Sequence, residues 1–141
     1  MSTLRGMCTI AYWAEDVAAA VDWYAGFLDA EPYFRRDNPD GTPAYVEFRI
    51  GDHQAELGIC DSRYAPPGTT GKPSGAVTYW AVDDLEGAVE RAVAMGAEPY
   101  QPIVARGDLG FRTASVADPF GNVLGLMANP HYMEVVEGRR S

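Results

Sequence analysis

The sequence predicts an α+β fold built from two copies of a βαβββ unit, and three observations predict it. The chain repeats itself. Tyr12-Trp13-Ala14 recurs as Tyr79-Trp80-Ala81, and Ala30-Glu31-Pro32-Tyr33 as Ala97-Glu98-Pro99-Tyr100, both at an offset of 67 residues; Ala20-Val21 recurs as Ala88-Val89 at 68. Ordered matches at one period mark an internal duplication. Each copy also passes from a strand-like run to apolar residues at helical spacing, then to further strand-like segments. Finally, Pro66-Pro67-Gly68, Gly71 and Pro73 make 62–74 a linker between units at 6–61 and 75–130, with 131–141 as a tail.

The first strand of each unit is expected near Met7–Trp13 and near Ala76–Val82. Asp16 can cap the first helix, where Val17, Val21, Tyr24 and Leu28 fall on one face. Asp83 and Asp84 open the second helix, whose stripe is Leu85, Val89, Ala92 and Met95 and whose C-terminal glycine is Gly96. A short strand carrying Glu-Pro-Tyr follows each helix, then a loop (Asp37–Thr42, with its Asn-Pro-Asp-Gly turn, or Ala105–Gly110). Two strands close each unit: Ala44–Ile50 and His53–Cys60 in the first, Phe111–Ala117 and Val123–Ala128 in the second. Asp118-Pro119-Phe120-Gly121-Asn122 is the turn between the last two.

If Gly51-Asp52 is a two-residue hairpin loop, Ile50 pairs with His53, Arg49 with Gln54, Phe48 with Ala55 and Glu47 with Glu56. Val46, Phe48, Ala55, Leu57 and Ile59 then share the core face. The other face carries Tyr45, Glu47, Arg49, Gln54, Glu56, Gly58 and Cys60. Two directly opposed carboxylates repel. Solvation, the neighbouring Arg49, a bound cation or a proton on one of them are the ways to hold Glu47 against Glu56.

Composition narrows the function. The 141 residues carry a formal charge of −9, which argues against nucleic acid and anionic membrane surfaces and favours a cationic or neutral partner. No apolar run reaches the roughly 20 residues of a membrane span, and no secretory start is present, so a cytoplasmic protein is expected. Cys8 and Cys60 read as reduced thiols rather than a disulfide framework. His53 and His131 read as surface residues, and there is no nucleophilic triad spacing or phosphate loop.

The duplication, the helix carrying Asp16, Val17, Asp22, Trp23 and Tyr24, and the Asp118–Asn122 turn together resemble the glyoxalase/bleomycin-resistance/extradiol-dioxygenase group, the vicinal oxygen chelate superfamily. The resemblance covers about Gly6 to Pro130. It implies that the two βαβββ modules form an incomplete eight-stranded barrel around a cup. It also implies, for the enzymes of the group, a divalent metal held by His, Gln or Glu from the first and last strands of each module. Carried onto this chain, those positions fall at Thr9, at Val77 (or Ala76), at Glu56 and at Gly125. One potential ligand remains of four, so no metal and no cofactor is expected.

The resemblance therefore implies a metal-independent small-molecule-binding protein, dimeric like many of the group, with a polar or cationic ligand. Glu56, Glu47, Tyr45, Arg49, Trp13 and, depending on register, Tyr79 or Trp80 would line the site. The alternative is an enzyme of the same superfamily (lyase, isomerase or dioxygenase) that uses Glu56 as a base or lone metal ligand.

Overall fold

The computed structural model describes residues 7–70 and 76–138. Gly6 at the start of the first unit, Gly71–Ser74 of the expected linker, Gly75 and the end of the tail at Arg139–Ser141 lie outside the described residues. The chain divides into two compact units, Met1–Ala65 and Pro66–Ser141.

The first unit runs β1 (Thr9–Ala14), α1 (Val17–Leu28), β2 (Phe34–Asp37), β3 (Pro43–Ile50) and β4 (Ala55–Asp61), ending on a single 3₁₀ turn at Ser62–Tyr64. Its sheet has the order β1-β4-β3-β2. β1 lies parallel to β4, and the other pairs are antiparallel. Asp16 caps α1 through Ala19 N–H at 3.0 Å. Val17, Ala20 and Tyr24 on α1 are buried with Tyr12, Val46, Phe48, Leu57 and Ile59, and the Tyr24 ring lies 5.5 Å from that of Tyr12. Burying a side chain such as Phe48 or Leu57 stabilises by roughly 2–3 kcal/mol.

The second unit repeats the order: β5 (Thr78–Ala81), α2 (Leu85–Ala94), β6 (Glu98–Ala105), β7 (Arg112–Ala117) and β8 (Val123–Ala128), in a sheet of order β5-β8-β7-β6. Asp84 caps α2 through Gly87 N–H, and Gly96 follows the helix at φ 100°, a conformation suited to glycine. Leu85, Ala92, Val116, Leu124 and Leu126 are buried. The tail does more than pack two side chains. It forms a helix, α3 (Pro130–Val136), capped by Asn129 with Pro130 in its first turn, the arrangement a proline's fixed φ prefers.

The first hairpin departs from the expected register. Its loop is four residues, Gly51–Gln54, with Gln54 at φ 53° and Gly51 at φ 78°; the Gln54 N–H donates to Gly51 O at 3.1 Å. The observed partners are Ile50 with Ala55, Arg49 with Glu56, Phe48 with Leu57 and Glu47 with Gly58. Glu47 and Glu56 are therefore diagonal neighbours and not opposed, and the repulsion to be explained does not arise. The slip is two residues, so each side chain keeps its expected face. His53 sits in the turn.

One five-residue turn occurs twice. In Asn38–Thr42 and in Asp118–Asn122 the first N–H donates to the fifth carbonyl, at 2.7 and 2.8 Å, and the fourth N–H returns to the first carbonyl. The first residue is 5% exposed in both cases. Asn38 also reaches Asp61 Oδ2 at 3.2 Å and accepts from the Tyr64 hydroxyl. Burial of Asp61 raises its pKa, but hydrogen bonds from Arg63 N–H, the Arg63 guanidinium and Asn38 outweigh it and hold the carboxyl below its ordinary value. A carboxyl depressed on folding stabilises the fold above its unfolded pKa, and that stability is lost as pH falls through the folded pKa. Asp61→Asn is thus expected to flatten the acid limb of the stability curve below about pH 4, measured by urea midpoints against pH. A limb as steep as that of the parent would show that Asp61 carries none of it.

Candidate functional site

The face of the first sheet away from α1 is a grid set by register. Arg36, Tyr45, Cys60 and Trp13 make one row, Phe34, Glu47, Gly58 and Ala11 the next, and Arg49, Glu56 and Thr9 the third. Tyr45, Glu47, Arg49, Glu56 and Trp13 thus share one face. Thr9 on β1 donates its hydroxyl to Glu56 Oε1 at 2.6 Å. Tyr45 donates to Glu47 Oε1 at 2.7 Å, and Arg49 Nε lies 4.0 Å from Glu47 Oε2. The Arg49 guanidinium stacks over the Tyr33 ring at 3.8 Å. Burial, with the hydrogen bond to Glu47 next, pushes the Tyr45 phenol far above its ordinary pKa, so it stays a donor.

Tyr45 covers Gly58. A methyl group at Gly58 would meet Tyr45 Cε1 at 2.5 Å. The second unit repeats this arrangement from a different strand: Tyr79 of β5 covers Gly125 of β8, and a methyl group there would meet Tyr79 Cδ1 at 2.6 Å and Thr78 O at 2.7 Å. Tyr79 pairs with Gly125 and Trp80 with buried Leu126. Of the two alternatives, Tyr79 is therefore on the face opposite the core and Trp80 on the core side. Thr113 and Ser115 share the face of Tyr79. Cys60 lies at the end of β4 beside Trp13, half-buried, and burial pushes its thiol up to about 11. Alkylation with iodoacetamide at pH 8 is expected to label exposed Cys8 well before Cys60, as read by peptide mass spectrometry; equal rates would contradict the burial of Cys60.

The parallel pairs also fix which positions correspond. Ala11 pairs with Gly58 as Tyr79 pairs with Gly125. The structural counterpart of Gly125 is therefore Gly58, and Glu56 lies two residues earlier, where the second unit has Val123. The sequence carried a signal for this: Leu57-Gly58-Ile59 matches Leu124-Gly125-Leu126. Sequence reading also missed Thr9 as a partner of Glu56 and missed the aromatics Tyr33 and Phe34 beside Arg49 and Tyr45.

With that geometry, the chain can be placed. The model of the glyoxalase/bleomycin resistance protein/dioxygenase superfamily matches residues 7–126, and the chain belongs to that superfamily. Among solved structures, a superfamily member from Sphaerobacter thermophilus is similar at 18% identity and TM-score 0.68, covering 91% of this chain and 100% of its own. The fosfomycin resistance protein FosX from Mesorhizobium loti is similar at 15% identity and TM-score 0.65, covering 94% and 99%. A lactoylglutathione lyase from Agrobacterium tumefaciens is similar at 19% identity and TM-score 0.64, covering 91% and 96%. At these identities the likeness establishes the fold. No curated protein matches the chain by sequence. No helix among the described residues is long and apolar enough to cross a membrane.

The donor set decides whether the family's divalent metal fits. The places the resemblance gives to metal ligands, Thr9, Val77 (or Ala76), Glu56 and Gly125, offer one hydroxyl and one carboxylate between them. Among the described residues no group of three or more His, Cys, Asp or Glu comes together as a metal site. Gly125 is roofed by the Tyr79 ring, which fills the place a ligating side chain would need. These residues do not fit the metal.

Proposed function

We propose that this protein is a metal-independent small-molecule-binding member of its superfamily, with a polar or cationic ligand. The observation that carries this reading is the donor set: of the four places the resemblance gives to metal ligands only Glu56 is a carboxylate, and at Gly125 the Tyr79 ring and Thr78 O fill the space a ligating side chain would need. What remains on the first sheet's face is a binding chemistry: hydrogen-bond acceptors, a guanidinium and aromatic rings. The protein acts as a homodimer, since β1 and β5 are edge strands whose outer backbone groups a second copy would pair.

Metal analysis of the purified protein, with a thermal-shift screen of small organic molecules, tests the reading. The expected outcome is no stoichiometric metal and at least one stabilising ligand whose effect is lost in the Glu47→Gln/Glu56→Gln double variant. Stoichiometric iron, nickel, zinc or manganese lost on Glu56→Gln would replace it with the metalloenzyme reading. Light-scattering mass in solution tests the dimer, and a monomer at micromolar concentration would refute it.

A further inference from the structure

We propose that Glu56, and not Glu47, is the ligand anchor, and that the ligand is an organic ammonium whose flat apolar body lies over Ala11 against Trp13. This deepens the binding-protein reading and rests on it.

The two carboxylates differ in what they already hold. Glu47 is committed on both oxygens: Oε1 accepts from Tyr45 and Oε2 faces Arg49, and its side chain is only 13% exposed. Its work is to keep the Tyr45 ring over Gly58, which makes it a positioning residue. Glu56 accepts one hydrogen bond, from Thr9, and among the described residues it has no ion pair. Arg49 stands opposite it in register but is turned to the Tyr33 ring and to Glu47. Glu56 is therefore an oriented, half-buried carboxylate with no ion pair among the described residues, and in a chain of formal charge −9 no distant excess of cations offsets it.

The rest of the row supplies the shape. Ala11 is exposed and offers a flat floor beside Gly58. Trp13 ends the same row of β1 side chains and provides a wide aromatic wall. At roughly 3.3 Å per residue, Thr9 and Trp13 are about 13 Å apart along the strand. That spacing suits a cation at one end and a ring at the other of a molecule on the order of 10 Å long. An organic anion would meet Glu56 with like charge. A neutral molecule would cover the carboxylate without pairing it, which costs binding energy.

Calorimetric titration of the full chain with three matched probes tests this: 3-phenylpropylamine, 3-phenylpropanol and 3-phenylpropanoate. The amine is expected to bind at least about tenfold more tightly than the alcohol or the acid, with a preference that weakens as salt is added. Glu56→Gln should erase the preference. Glu47→Gln should leave it, and Trp13→Leu should weaken amine and alcohol together. Circular dichroism melts confirm that each variant is folded; should Glu56→Gln unfold, Thr9→Val, which removes only the orienting hydroxyl, should reduce the preference. Binding of the acid or alcohol as tightly as the amine overturns the ammonium assignment while leaving a binding protein. Loss of the preference in Glu47→Gln but not in Glu56→Gln overturns the division of labour. Binding of none of the three overturns the assignment, whereas stoichiometric metal in the same preparation would overturn the binding-protein reading itself.

Discussion

Gly125→Ala is expected to lower the stability of the second unit by about 3 kcal/mol, the upper range for overpacking a filled site. The added methyl group would stand 2.6 Å from Tyr79 Cδ1 and 2.7 Å from Thr78 O. The ring has somewhere to go, but the carbonyl belongs to the β5–β8 ladder and moves only if that pairing does. Tyr79→Ala in the same chain is thus expected to recover only part of the loss. Gly58→Ala provides the contrast, because the three atoms nearest its new methyl all belong to the Tyr45 side chain. That ring swings aside at the cost of its hydrogen bond to Glu47, about 1 kcal/mol, so Gly58→Ala and Tyr45→Ala together should cost less than their sum. Urea midpoints of the single and double variants check both statements. A neutral Gly125→Ala, or its full rescue by Tyr79→Ala, would refute the backbone clash.

Asp118→Ala is expected to cost about 3 kcal/mol. Asp118 is 5% exposed, and its carboxylate accepts from Phe120 N–H at 2.9 Å, Asn122 N–H at 2.8 Å and the Asn122 side-chain amide at 2.8 Å. Truncation leaves these donors without their acceptor in a turn that water reaches poorly. Asp118→Asn keeps the acceptor for the two backbone groups but sets an amide against the Asn122 amide. The exchange Asp118→Asn with Asn122→Asp restores a donor facing an acceptor and should regain most of the stability. The first unit already has the reversed polarity: Asn38 Nδ2 donates to Thr42 Oγ1 at 3.1 Å in the same turn. Thermal or urea unfolding of the three variants decides it; a swap no better than Asp118→Ala would show that the side-chain link is incidental.

The fold was legible because its signals are local and redundant. Asp16 and Asp84 cap helices in which Val17 and Tyr24, and Leu85 and Ala92, of the expected stripes are buried. The core face of β3 and β4 survived a wrong loop length because the error was two residues, an even slip, although Ala55 at the start of β4 is exposed and not core. Gln54 in a left-handed conformation was the hidden cause, and no propensity rule favours glutamine there. The Tyr-Trp-Ala repeat misled in the opposite way. Tyr12 is core and Tyr79 is on the far face, since a one-residue offset reverses every side chain in a strand. The match of Gly58 with Gly125, by contrast, stands at the repeat's own offset of 67 residues. The α3 helix announced itself in Asn129-Pro130, a cap followed by a proline, and was read only as a tail. The partners of Glu56 and Glu47 depend on side-chain placement across strands, which periodicity does not specify.

The parallel pairing of β1 with β4 and of β5 with β8 has a consequence for how the chain reaches its native state. In each unit the first and last strands are neighbours, and every strand pairing lies within one sheet or the other. The Thr9–Glu56 link spans 47 residues and sits at the far end of the first unit's ladder. Among the described residues no strand pairing has to be closed across Pro66–Thr70. Chain inserted there lengthens none of the loops whose closure entropy slows sheet formation. A duplicated unit that closes on itself limits its longest closure to about the length of one unit, although the whole chain is twice as long.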